Sequence, residues 1–186
     1  RRALEYARDL GIVLAQHCEV SRLTEGAVMH EGSCCSHMGV PGWPAIAEEL
    51  MLHRDIELVR LTGTPMHFLH LSTAGSVELV RRAKSDGLPV TAEVTPHHLS
   101  LTDEMLTGYD PLYKVNPPLR TMDDIAALAS ALTKATSGLG LVALAELKVG
   151  AAVSGNPCGG CCPPPQADSH AVHNSTEPIR ARDDQR

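Results

Sequence analysis

The sequence predicts an α/β fold with a parallel sheet, a partial TIM-type (β/α) barrel, followed by a tail of different character. Three observations carry that expectation. Short apolar runs at 12–15, 65–68 and 90–92 alternate with stretches of helical periodicity, the pattern of parallel strands joined by right-handed crossovers. Each run ends in polar residues: Gln16-His17-Cys18-Glu19, His67-Phe68-Leu69-His70-Leu71-Ser72-Thr73 and Glu93-Val94-Thr95-Pro96-His97-His98-Leu99. In a parallel α/β barrel, the carboxyl ends of the strands are where an active site is built. Finally, all five aromatic residues (Tyr6, Trp43, Phe68, Tyr109 and Tyr113) precede Lys114, so the region after it lacks large rings to bury.

Taken in order, residues 1–10 read as a helix end, with Leu4, Ala7 and Leu10 roughly on one face and Gly11 as its stop. Residues 11–19 read as a buried strand ending at His17, and 20–41, with Gly26, Gly32 and Gly39, as a long irregular loop. Residues 44–62 predict a strong helix: Pro44 in its first turn, Ile46, Leu50 and Leu58 as the apolar stripe, Gly63 as terminator. A strand at 66–71 follows, then a helix over 74–84 capped by Thr73, with Val77, Leu79 and Val80 facing inward and Gly87 ending it. Residues 89–94 form the third predicted strand, and 101–110 a short helix and loop. Lys114-Val115-Asn116-Pro117-Pro118-Leu119-Arg120 is a rigid polar loop, and 122–132 a helix with Thr121 and Asp123 near its start.

From about residue 133 the pattern changes. Residues 139–147 could form a strand or a short helix, and from Gly150 onward Gly, Pro, Ser and Cys dominate around Pro163-Pro164-Pro165. That composition predicts disorder. The expected division is therefore a partial barrel over 1–132 and a divergent tail over 133–186.

A complete barrel of this kind needs about 250 residues, against 186 here. The chain opens at Arg1 inside a predicted helix, so an N-terminal piece is expected to be missing. A net charge of −6 argues against a nucleic-acid-binding surface. No apolar stretch reaches the roughly 18 residues of a membrane span, and no signal peptide is visible. The expected location is the cytoplasm, where the six cysteines are thiols or metal ligands rather than disulfides.

His17 and His70, each at a predicted strand end, are the best candidate metal ligands, because neutral imidazole is a common zinc donor. The alternative is that each is a core histidine bonded to backbone. His67 lies on the opposite strand face from His70 and reads as a satisfied buried residue, whereas His30, His37 and His53 read as loop or helix-surface residues. The chain as a whole reads as part of a metal-dependent hydrolase.

Longer strings carry a resemblance: His17-Cys18-Glu19; Gly42-Trp43-Pro44 with Ala47-Glu48-Glu49 and Arg54-Asp55; 67–73; 91–101; and 114–120. Over residues 1–132 the chain resembles the bacterial dihydroorotases of the amidohydrolase superfamily. Related allantoinases generally lack the asparagine before the two prolines, so Asn116 favours dihydroorotase. The resemblance implies a binuclear zinc centre at a barrel mouth. His17 and His70 match the two histidines of the second metal, on the fifth and sixth strands, and Asn116 matches a substrate contact. Two metals about 3.5–4 Å apart can activate a water and polarise an amide. The implied reaction is the reversible hydrolysis of (S)-dihydroorotate to N-carbamoyl-L-aspartate in pyrimidine biosynthesis. Glu93, His97 and His98 are expected to orient ligands and the following loop rather than bind metal.

The departures are equally specific. The His-x-His pair of the first metal is absent, and the bridging lysine or aspartate would precede Arg1. The family's strand-eight aspartate should follow Leu132, yet 133–150 holds no Asp and no His. No catalytic residue is therefore assigned, at most one partial zinc site is expected, and the isolated chain is expected to be inactive. Alternative expectations are a non-catalytic subunit that partners an enzyme such as aspartate carbamoyltransferase, a fragment that aggregates or assembles, or a sister hydrolase acting on allantoin or hydantoin rings. A homo-oligomer is also expected to be possible. In the tail, Cys158, Cys161 and Cys162 with His170 and His173 have poor spacing for zinc. The abrupt end of the match near Thr133 suggests a shifted reading frame.

Overall fold

The computed structural model describes residues 1–135 and the backbone strand 141–143. The elements run α1 (Arg2–Leu10), β1 (Leu14–Gln16), α2 (Ser21–Thr24), β2 (Met29–His30), α3 (Ser33–Met38), β3 (Gly42–Trp43), α4 (Ile46–Thr62), β4 (Met66–Phe68), α5 (Ala74–Ser85), β5 (Val90–Val94), α6 (Met122–Ala135) and β6 (Leu141–Ala143). Three 3₁₀ turns, Pro96–Leu99, Asp103–Gly108 and Pro111–Tyr113, connect β5 to α6. The predicted tail beyond this, including its cysteines and histidines, lies outside the described residues.

The main sheet has four strands in the order β1-β4-β5-β6, all parallel, as the alternating pattern requires. Its register aligns Ala15 with His67 and Thr91, and Gln16 with Phe68, Ala92 and Leu141. Because side chains alternate along a strand, Met66, Phe68, Val90, Ala92 and Val94 enter the core beneath α4 and α5, joined by Leu52, Ile56, Val59, Val77 and Val80. The other face carries Ala15, His67, Thr91 and Glu93; Ala15 and Thr91 are exposed, and His67 is half-buried. That face is largely polar. Burial of some ten aliphatic and aromatic side chains on one face, each contributing about 1.5–3 kcal/mol, holds the layers together.

Helix boundaries follow local chemistry. Thr73 accepts from the Ser76 backbone N–H at 3.0 Å, capping α5. Gly63 ends α4 at φ 67, a left-handed conformation open to a residue without Cβ.

Several expectations need correction. Residues 11–19 do not form a buried strand: β1 pairs only with β4 among the described residues, and Ile12 and Val13 are exposed. A strand at a sheet edge lacks the second neighbour that would cover it. Residues 20–41 are not irregular either. They hold α2, β2 and α3, with β2 pairing in parallel with β3 and burying Met29, Cys34 and Cys35 with Leu106 and Leu119. Strands of two residues leave no periodicity to read. In α4 only Leu58 of the expected stripe packs on the core: Ile46 and Leu50 are 45% and 48% exposed, while Ala47, Glu48, Leu52, Asp55, Ile56 and Val59 are buried. Two carboxylates on the inward face disguise it. His30 is no surface residue; it is half-buried in β2, its Nδ1 3.1 Å from Arg120 Nη1. No helix among the described residues is long and apolar enough to cross a membrane.

Candidate metal centre

The parallel register brings the ends of β1 and β4 side by side, and with them His17 and His70. His17 Nδ1 lies 3.1 Å from His70 Nε2, with ring centroids 4.8 Å apart and planes inclined at 70°. Two nitrogens bound to one tetrahedral zinc at about 2.0–2.1 Å would stand roughly 3.3 Å apart, so the spacing suits a shared ion. The far nitrogen of His17 is committed as well: Nε2 donates to Glu19 Oε2 at 2.9 Å. A carboxylate behind an imidazole is the usual way of fixing tautomer and ring orientation in a ligating histidine. It leaves the Nδ1 lone pair facing His70.

Glu19 is itself well anchored. Thr24 donates to Oε1, and the Asn116 side chain lies near the same carboxylate. Burial opposes ionisation, but the polar groups of Thr24, His17 and Asn116 outweigh it and lower the Glu19 pKa. Asn116, preceding a cis peptide to Pro117, is exposed at this rim. The sequence placed Glu19 in a family string without giving it a role; the signal was its position two residues after the strand-end histidine.

His70 adopts φ 35, a region that costs a residue with a side chain on the order of 1–3 kcal/mol. Backbone bonds on both sides hold it there: Leu69 N donates to the Gln16 carbonyl and Leu71 N to the Glu93 carbonyl, each at 2.9 Å. Burial, reinforced by the neighbouring His17, lowers the His70 pKa and favours the neutral, ligating form. Ligation through Nε2 would put the proton on Nδ1, which is buried and without a partner among the described residues. The donor set therefore fits one metal by two histidines and no more. No group of three His, Cys, Asp or Glu side chains suited to a metal occurs among the described residues.

The other sequence candidates sort as supports. His67 is satisfied by Thr91 Oγ1 at 2.7 Å and Glu93 Oε2 at 3.1 Å, on the face away from the core. His98 is buried, with Nε2 donating to the Pro117 carbonyl at 3.0 Å. Its Nδ1 then accepts from the Thr95 hydroxyl at 2.7 Å, and that oxygen accepts from His97 Nε2 at 2.9 Å. The chain of bonds ties the 114–120 loop to the end of β5. Burial, then the adjacent His97, pushes the His98 pKa down to about 4. His37 and His53 are exposed, as expected. Cys18, beside the cluster, is a buried free thiol whose pKa burial drives far above the usual range; it is unreactive as a nucleophile.

Solved structures of hydantoinases and of a dihydropyrimidinase share this fold. The chain is similar to dihydropyrimidinase from Brevibacillus agri, with 26% identity, a TM-score of 0.60, and coverage of 76% of this chain and 32% of that one. It also shares its fold with L-hydantoinase from Arthrobacter aurescens (22% identity, TM-score 0.62, covering 75% and 31%). In sequence the likeness is far stronger, and it is to dihydroorotases. The Streptomyces coelicolor dihydroorotase is 57% identical over 136 residues, which is 73% of this chain and 32% of the relative. The Leifsonia xyli dihydroorotase is 52% identical over 136 residues, 73% and 31% respectively. The chain is thus a homologue of the dihydroorotases over about three quarters of its length, and it spans about a third of the length of the curated relatives it matches. No family model matches it.

Proposed function

We propose that this chain carries the fifth and sixth strands of a dihydroorotase (β/α) barrel and, with them, half of a binuclear zinc centre. The whole enzyme would catalyse the reversible hydrolysis of (S)-dihydroorotate to N-carbamoyl-L-aspartate in pyrimidine biosynthesis. The observation that carries the reading is the facing pair His17 Nδ1 and His70 Nε2, 3.1 Å apart, in a chain 57% identical to a dihydroorotase. The polar face bearing His67, Thr91 and Glu93 supports a barrel interior, since the opposite face already packs on helices.

In this reading His17 and His70 hold zinc, which when bound supplies a Lewis acid for the ring amide. Glu19 keeps His17 in the tautomer that offers Nδ1, and His98 holds the loop that presents Asn116. Asn116 stands at the rim where its amide can exchange the Glu19 carboxylate for a polar edge of the substrate ring. Among the described residues no aspartate stands at this centre for proton transfer, so hydrolysis is expected only when the rest of the barrel is present. Residues 1–132 then constitute the barrel portion and 133–186 the divergent tail, whose first residues still complete α6 and supply β6 to the sheet. The setting would be cytoplasmic, with a small-molecule substrate and assembly with further copies or with aspartate carbamoyltransferase. The likeness to the Brevibacillus agri dihydropyrimidinase, at 26% identity, keeps a sister ring substrate as the second reading.

Calorimetric titration of the zinc-loaded chain with dihydroorotate tests the assignment. Saturable binding weakened about tenfold by Asn116→Ala, the scale of one lost hydrogen bond, is the expected result. Preference for allantoin or hydantoin over dihydroorotate would overturn the substrate.

A further inference from the structure

Glu48 lies in α4, 2% exposed, a buried carboxylate to which the metal pair gives no role. Its side chain reaches the segment just past His70. Oε1 accepts from the backbone N–H of Ser72 at 3.0 Å and of Thr73 at 3.4 Å, and Oε2 accepts from the Ser72 hydroxyl. That hydroxyl oxygen in turn accepts from Arg120 Nε at 3.1 Å. Arg120, also 2% exposed, donates through Nη1 to the Trp43 carbonyl at 2.8 Å. A helix, the turn after β4, β3 and the loop before α6 thus meet in one buried chain of bonds, with a negative charge at one end and a positive charge at the other.

Burying two charges carries a large desolvation cost, and an apolar pair would fill the same space more cheaply. What the carboxylate does that an apolar group could not is accept two buried amides immediately after a strained residue. Sheet bonds fix Leu69 and Leu71 on either side of His70; Glu48 fixes the next two residues and so the direction in which the chain leaves. A backbone turned through φ 35 persists only where its surroundings over-determine it.

We propose that Glu48 is a positioning residue for His70: it anchors the Ser72 and Thr73 amides so that His70 Nε2 faces His17 Nδ1, with Arg120 as its buried counter-charge. The importance of that placement for zinc rests on the metal-pair reading; the placement itself does not.

The test is the long-range ¹H–¹⁵N spectrum of the histidine rings in the full 186-residue chain, for the unaltered protein, Glu48→Asp and Ser72→Ala. Glu48→Asp keeps the charge opposite Arg120 but withdraws the carboxylate by one methylene. The expected result is a folded protein in which the His17 and His70 ring nitrogens shift, exposed His37 stays in place, and zinc affinity falls at least tenfold. Ring spectra that superimpose on the unaltered protein's would overturn the proposal. Should Glu48→Asp fail to fold, Ser72→Ala, which removes the hydroxyl bond that holds Glu48 Oε2 and with it the link to Arg120, decides it: a smaller shift of the His70 ring supports the proposal and no shift refutes it. If the unaltered chain binds no zinc, the metal reading fails while the ring spectra still decide the role of Glu48.

Discussion

On the helix-covered face of the sheet, Met66, Phe68, Val90, Ala92 and Val94 join one apolar cluster with residues of α4 and α5. On the other face of β5 the chain buries Glu93 instead, and just past the strand ends it buries Ser72, Thr73 and His98, each held by hydrogen bonds to a neighbouring segment. The first region obtains stability from area removed from water and tolerates any side chain of fitting shape. The second spends part of that stability to hold polar groups in fixed orientations, including a residue with positive φ. The comparison separates what keeps the chain folded from what gives it a site.

The largest expected effect lies on the apolar side. Phe68→Ala should lower unfolding free energy by about 3–5 kcal/mol, read from urea denaturation, because Phe68 is fully buried at the centre of the cluster. A loss under 1 kcal/mol would show that the helix layer does not depend on this face.

Next in size is the acid response of the polar side. His98 has its pKa depressed from 6.5 to about 4 by burial first, so between those values the unfolded chain binds the proton that the folded one refuses. Stability is therefore retained above pH 6.5 and lost as pH falls toward 4, by up to about 3 kcal/mol from this residue. His98→Gln should flatten that part of the profile in denaturation curves collected at several pH values; an unchanged slope would locate the acid sensitivity elsewhere.

Smaller again is the cap at the boundary between the two regions. Thr73→Ala removes the acceptor for the Ser76 N–H and should cost about 1 kcal/mol, measurable as a shift in the denaturation midpoint. Leu50→Ala marks the lower limit. At 48% exposure it should change stability by less than about 0.5 kcal/mol, whereas the sequence-derived stripe would make it a core truncation worth about 2–5.

That last contrast indicates what was legible in the sequence. The parallel strands, the Thr73 cap and the convergence of His17 with His70 followed from apolar runs, turn residues and family strings. The inward face of α4 was hidden because Glu48 and Asp55 occupy it, and periodicity counts buried carboxylates as solvent-facing. The small β2–β3 sheet was hidden because a pairing of two residues on each side leaves no repeat. His30 and Arg120 lie ninety residues apart in the chain yet 3.1 Å apart in space, a contact no local pattern encodes. Glu19 stood in plain view beside His17, but only the fold showed that its carboxylate turns back onto the ring.

The most direct measurement is the zinc content of the purified chain beside a His17→Ala/His70→Ala variant. One equivalent of zinc in the unaltered chain, lost in the variant while its helical circular dichroism is retained, is the result this account predicts. No zinc in the unaltered chain, or zinc that survives loss of both histidines, would contradict it.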